Sequence, residues 1–213
     1  MTLDIKSRRG INSAKKVDTE NVIAIIKGSE KPEEYVVISA HLDHVGVDDG
    51  EIYNGADDDG SGTVAMLEIA QAYKKAVKRG KGPKRSIVFL HVTGEEKGLL
   101  GSKYYTDTDP IYPLENTVVN LNIDMIGRID PTRKAKNRDY IYLIGSDRLS
   151  QELHEVSEHA NSKYVGLDLD YIFNAENDPN RDDVIGHLNA ILDTYAANSA
   201  IFDAGTAASQ GQA

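Results

Sequence analysis

The chain has 213 residues, 40% of them hydrophobic and 27% charged, which is the balance of a globular protein long enough for one domain with a core but short for two. A formal net charge of −10 argues against capture of nucleic-acid phosphates or anionic lipid surfaces, and no apolar run approaches the roughly 18 residues of a membrane-spanning helix. The absence of cysteine excludes disulfides, thiolate metal sites and cysteine nucleophiles, so any metal must be held by His, Asp and Glu.

The first residues, Met1 to Arg9, are polar and basic and lack the apolar centre of a secretory signal. Residues 1–20 are therefore expected to be an N-terminal extension or part of an upstream region. Asn21 to Lys27 is rich in β-branched residues and ends at the turn signal Gly28-Ser29. Tyr35 to Ala40 is a continuous apolar run, as in a strand covered on both faces, and a loop dense in Asp, Gly and His follows. Ser61 to Val77 has helical periodicity. The basic stretch Lys74 to Arg85 reads as a solvated helix end and loop, since no aromatic or groove-reading motif accompanies it.

Ser86 to Val92 is a second buried strand, Gly94 to Gly98 a tight turn and Leu99 to Tyr105 a short helix. Thr117 to Ile123 and Tyr140 to Ile144 are further strands, and Leu149 to Tyr164 is an amphipathic helix. Strands alternating with helices predict an α/β fold with a largely parallel sheet, which binds ligands outside the carboxyl ends of its strands. Residues 21–181 are expected to form one domain. Asp182 to Phe202 has the pattern of a helix, and Asp203 to Ala213 is small, polar and expected to fray.

Three predicted strands run directly into metal-binding residue types: His41-Leu42-Asp43-His44, Gly94-Glu95-Glu96 and Asn122-Ile123-Asp124. A fourth group, Asp57-Asp58-Asp59, opens the helix at Ser61. Zinc takes imidazole nitrogen and carboxylate oxygen. In an extended His41-x-Asp43 both side chains point the same way, so Asp43 can orient the His41 ring. A carboxylate such as Asp57 can bridge two cations. Of the adjacent pair Glu95 and Glu96, one can bind metal while the other takes a proton from water. Asp59 suits the helix N-cap, and His44 reads as structural or as lining a pocket. His91 reads as core, and His154 and His159 as surface. The glycine-rich run Gly55 to Gly62 lacks the lysine of a phosphate-binding loop.

The segments AHLDHVG, YNGADDDGSGTVAMLEIA, RSIVFLHVTGEEKGLLGSKYY and NLNIDMIGR resemble the di-zinc aminopeptidase family, relatives of bacterial leucyl aminopeptidase, glutamate carboxypeptidase II and glutaminyl cyclases. The resemblance runs from Asn21 to Arg128 and more weakly to Asn177-Asp178-Pro179-Asn180-Arg181. It implies a three-layer αβα sandwich around a mostly parallel mixed sheet, two zinc ions and a peptide substrate. Carried over by motif, it implies that His41 and Asp124 ligate one zinc, Glu96 the other, and Asp57 bridges both. It further implies that Glu95 is the general acid/base, Asp43 orients His41, and the Asp57–Asp58 peptide bond is cis.

The family's late histidine ligand has no match in its expected motif, and His187 is the only histidine in that region. The catalytic domain is accordingly expected over 21–181, incomplete at its end, followed by a divergent tail over 182–213. The function this implies is hydrolysis of N-terminal residues from peptides. The alternatives are a glutaminyl-cyclase-like or carboxypeptidase-like enzyme on the same scaffold, or an inactive metal-binding remnant. Relatives of this kind point to a periplasmic or extracellular full-length protein.

Overall fold

A computed structural model describes residues 2–5, 15–148 and 150–174. The expected helix over Asp182–Phe202, the tail beyond it and His187 lie outside the described residues, as does part of the 1–20 extension. The chain divides into two compact units, Met1–Arg128 and Ile129–Ala213, a boundary that falls inside the span expected to be one domain.

In the first unit β1 (Thr2–Ile5) pairs antiparallel with β2 (Lys15–Asp18). Then come β3 (Val22–Ile26), β4 (Lys31–His41), the hairpin β5 (Gly46–Asp48) and β6 (Glu51–Tyr53), and α1 (Gly60–Lys78). They are followed by β7 (Arg85–Val92), α2 (Leu100–Asp107) and β8 (Thr117–Asn122). The main sheet has the order β3-β7-β4-β8. β4 runs parallel to both β7 and β8, and β3 is an antiparallel edge strand.

The uninterrupted apolar runs of β4 and β7 are explained by burial on both faces. Ile38 and Ala40 of β4 and Ile87 and Phe89 of β7 pack against Met66, Ile69, Ala70 and Tyr73 of α1. Their neighbours Val37, Val88, Leu90 and Val92 face the other way, toward Tyr105 of α2 and Tyr112 and Leu114. Each fully buried aliphatic side chain stabilises the fold by about 1.5–3 kcal/mol. The result is the αβα layering that the sequence predicts.

Asp59 is the N-cap of α1, accepting from Gly62 N at 2.9 Å, and basic Lys75 and Lys78 sit in the last turn, where the helix dipole favours them. The loop expected after β4 instead forms the hairpin, closed by Asp49 and Gly50 at φ 49° and 87°. Two consecutive positive φ values fit the tight turn that Asp-Gly favours.

In the second unit β9 (Tyr140–Tyr142) and β10 (Asp168–Asp170) pair in parallel around the crossover helix α3 (Gln151–Tyr164). Ser150 caps α3 by accepting from Leu153 N. Arg133 binds Asp168 and Asp170 from β10 and stacks over the Tyr140 ring at 3.9 Å. His154, expected at the surface, is half-buried because Ser146 hydrogen-bonds its Nδ1 at 2.9 Å.

Candidate metal centre

The parallel strands β4, β7 and β8 end at the same edge of the sheet. The register pairs His41 with Val92 and Ser39 with Asn122, so the residues just beyond each strand emerge together. This is where an open α/β sheet places its ligands.

His41 is buried and fixed on every side. Its backbone N–H donates to Asp59 Oδ2 at 3.1 Å, and its carbonyl accepts from the Thr63 hydroxyl at 2.9 Å. Its Nδ1 lies 2.8 Å from the backbone carbonyl oxygen of Asp43. A carbonyl only accepts, so Nδ1 carries the proton and the lone pair of the neutral ring is on Nε2. Nε2 faces Asp58 Oδ1 at 2.9 Å, Asp124 Oδ2 at 3.9 Å and Glu95 Oε2 at 4.0 Å.

Asp43 therefore orients His41 through its backbone. Its carboxylate, the group expected to do so, lies 3.7 Å from Nδ1, beyond hydrogen-bond range. The carboxylate instead accepts the backbone N–H groups of Glu95 at 3.0 Å and Glu96 at 3.2 Å. Burial works against its charge, but the His41 ring and these two donors outweigh it and hold the carboxyl below the usual range. The turn that Asp43 grips is also wired to itself: Gly98 and Leu99 N–H bond to Glu95 O, and Gly101 N–H bonds to Thr93 O. A Cβ on Gly101 would meet Thr93 O at 2.2 Å, so only glycine permits this return into α2.

The three aspartates separate into three roles, and the expected assignment shifts by one residue. Asp57, expected to bridge, turns its carboxylate to Gly127 N–H at 2.6 Å, Arg128 Nε at 2.8 Å and the Ser61 hydroxyl at 3.2 Å. Asp58 takes the shared position, with Oδ1 2.9 Å from His41 Nε2 and 3.9 Å from His44 Nδ1. The cis peptide bond is correspondingly Asp58–Asp59, not Asp57–Asp58. The reason is the N-cap: Asp59 is buried with both oxygens committed to His41 N–H and Gly62 N–H, which fixes the loop with Asp58 toward the imidazoles.

Two groups of donors result. His41, Asp58 and Asp124 form one, and His44, Asp58 and Glu96 the other; within each, the ligand atoms lie within 4.8 Å of one another. The structure brings together His41, Glu95, Glu96 and Asp124 of the expected residues, and excludes Asp57. Sequence reasoning missed Asp58, because three successive aspartates carry no internal spacing cue. It read His44 as structural or as lining a pocket; the structure places its Nδ1 2.7 Å from Glu96 Oε1.

The electrostatics are strained without a cation. Burial disfavours a charged His41, but the Asp43 contact and the charges of Glu95, Asp124 and Asp59 prevail and push it up to about 10. Asp59 is pushed up to about 6, first by burial and then by Asp124, against the two N–H groups it accepts. Four carboxylates, from Asp58, Glu95, Glu96 and Asp124, gather around the imidazoles of His41 and His44. Like charges gathered this closely, three of them part-buried and Asp124 exposed, are favoured by a cation between them, and the donor types suit zinc.

Comparison with known proteins agrees with this geometry. The sequence model described as peptidase family M28 matches residues 21–206. Aminopeptidase YwaD of Bacillus subtilis is 36% identical over 151 residues, 70% of this chain and 30% of that protein. A probable glutamate carboxypeptidase of Arabidopsis thaliana, LAMP1, is 37% identical over 105 residues, covering 49% of this chain and 14% of that protein. The solved structure of BSAP, a zinc aminopeptidase from Bacillus subtilis, superposes with a TM-score of 0.53 and 32% identity, covering 70% of this chain and 33% of that one. The chain thus spans a third or less of the length of each of these three proteins.

Proposed function

The chain belongs to peptidase family M28, and on that premise we propose that it carries the zinc-binding core of an aminopeptidase. The observation that carries this reading is the sharing of Asp58 between two donor groups at one sheet edge. The names of YwaD, an aminopeptidase, and BSAP, a zinc aminopeptidase, support both the metal and the reaction.

In this reading His41, Asp58 and Asp124 would hold one zinc, and Asp58 and Glu96 would contribute to a second position. Such a pair, when bound, would polarise a peptide carbonyl and lower the pKa of water at the site. Glu95 is the general base. It takes the proton of the attacking water and returns it to the leaving amine. Its carboxylate stands 4.0 Å from His41 Nε2, and its backbone is held by Asp43, so it is near the donors yet belongs to neither group. Asp43 is a positioning residue for both glutamates.

Replacing Glu95→Gln tests the assignment. The variant should keep the metal content of the parent and lose turnover of aminoacyl-anilides; an active variant removes Glu95 from the mechanism. A carboxypeptidase-like reading is favoured by the likeness to LAMP1. Parallel assays with aminoacyl-anilides and with peptides ending in glutamate separate the two.

A further inference from the structure

We propose that His44 is itself a metal ligand, completing the second position with Glu96 and Asp58 through its Nδ1. The proposal rests on the zinc reading above and deepens it.

His44 Nδ1 lies 2.7 Å from Glu96 Oε1, yet the two atoms do not form a hydrogen bond, and both are shielded from solvent without a hydrogen-bond partner. A salt-bridged pair would align the N–H with the oxygen lone pair. Two donors sharing a cation instead aim their lone pairs at a common point between them. The third donor is present: Asp58 Oδ1 is 3.9 Å from the same Nδ1 and 2.9 Å from His41 Nε2, so one carboxylate faces both imidazoles. One nitrogen and two carboxylates make three protein donors of types zinc accepts, the number carried by a zinc site that keeps an open position.

The ring is also seated. Gly55, at φ 66°, lies so close that a Cβ there would meet His44 Cβ at 2.8 Å and Cγ at 2.9 Å. The residue before His44, Asp43, grips the Glu96 backbone at 3.2 Å. One short segment, 41–44, thus delivers an imidazole to each donor group and holds the glutamate of the second. With His44, each position draws three donors from residues 41–124.

The test is cobalt(II) titration of the full chain, followed by visible absorption, with zinc content measured after dialysis. The parent should take up two equivalents. His44→Gln should weaken one of them by at least about a hundredfold, beyond the 10–100-fold cost of losing a group that merely orients a ligand, and leave the other within about threefold. His44→Asp, which restores an oxygen donor, should recover the second equivalent. In the unmutated chain the His44 Nδ1 resonance should move on the second equivalent of zinc, a readout that does not depend on any variant folding. Two equivalents bound unchanged by His44→Gln, or a stationary His44 resonance, overturns the His44 ligand alone. A parent that binds fewer than two overturns the metal-pair reading and this proposal with it.

Discussion

Asp43 Oδ2 accepts the backbone N–H of Glu96 at 3.2 Å, joining the end of β4 to the turn after β7 across 53 residues of sequence. The bond fixes where both glutamates stand before any ligand arrives. An Asp43→Asn variant keeps one accepting oxygen and places an amide donor against an N–H group. It should lose about 1–3 kcal/mol in urea denaturation. Its zinc affinity should fall about 10–100-fold in a competition titration, as expected when a group that positions ligands is lost.

Asp57 and Asp58 are adjacent but should respond oppositely to the same change. Asp58→Asn replaces the carboxylate common to both donor groups with a neutral amide and should abolish high-affinity zinc binding at both positions. Asp57→Asn loses a partly exposed ion pair with Arg128, worth about 0–1 kcal/mol, and should keep the metal content of the parent. Elemental analysis of the two purified variants distinguishes them. Metal loss on Asp57→Asn with retention on Asp58→Asn would reverse the assignment.

Gly62 should be intolerant of alanine, although alanine is the better helix former by about 0.8–1.0 kcal/mol. A Cβ there would meet Asp59 Oδ1 and Ile123 O, both at 2.4 Å, and would displace the cap of α1. Gly62→Ala should destabilise the chain by about 1–3 kcal/mol, an overpacking cost that exceeds the propensity gain. Thermal melts decide the sign.

Without metal, stability should fall as pH rises. His41 has a folded pKa of about 10 against an ordinary 6.5, so the stability it contributes is complete below 6.5 and lost as pH climbs through 10. Asp59 adds the same sign lower down, between 3.8 and about 6. Denaturant midpoints in chelator should therefore decline from pH 6.5 to 10. Zinc should flatten or reverse that slope, because ligation requires the neutral ring and binding releases the proton.

The sheet was legible in the sequence because its strands are buried on both faces. Runs such as Tyr35–Ala40 and Ser86–Val92 have one plausible structure, and β4 and β7 contain them. The hairpin of β5 and β6 was missed although Asp49-Gly50 signals it, since its strands are three residues each and exposed. At the site, His41, Glu95, Glu96 and Asp124 were legible because His41 ends one parallel strand and the others closely follow the ends of two more. Asp58 was not: which of three identical side chains faces inward depends on the N-cap at Asp59 and on Gly127 and Arg128 drawing Asp57 away. The neighbours of His44 in its donor group were not legible either, because they arrive from segments 14 and 52 residues further along the chain.

The β5–β6 hairpin lies in sequence between His44 and Asp58, and its Val47 and Ile52 are 69% and 70% exposed. Its ends adjoin His44 and Asp58, one residue of each donor group, while its two strands stand exposed. Exposed positions such as Val47 and Ile52 can be redecorated at little cost to the core, since neither is buried in it. Such a segment is a natural place for one ancestral scaffold to acquire different tastes in substrate, and a first target for anyone wishing to retune them.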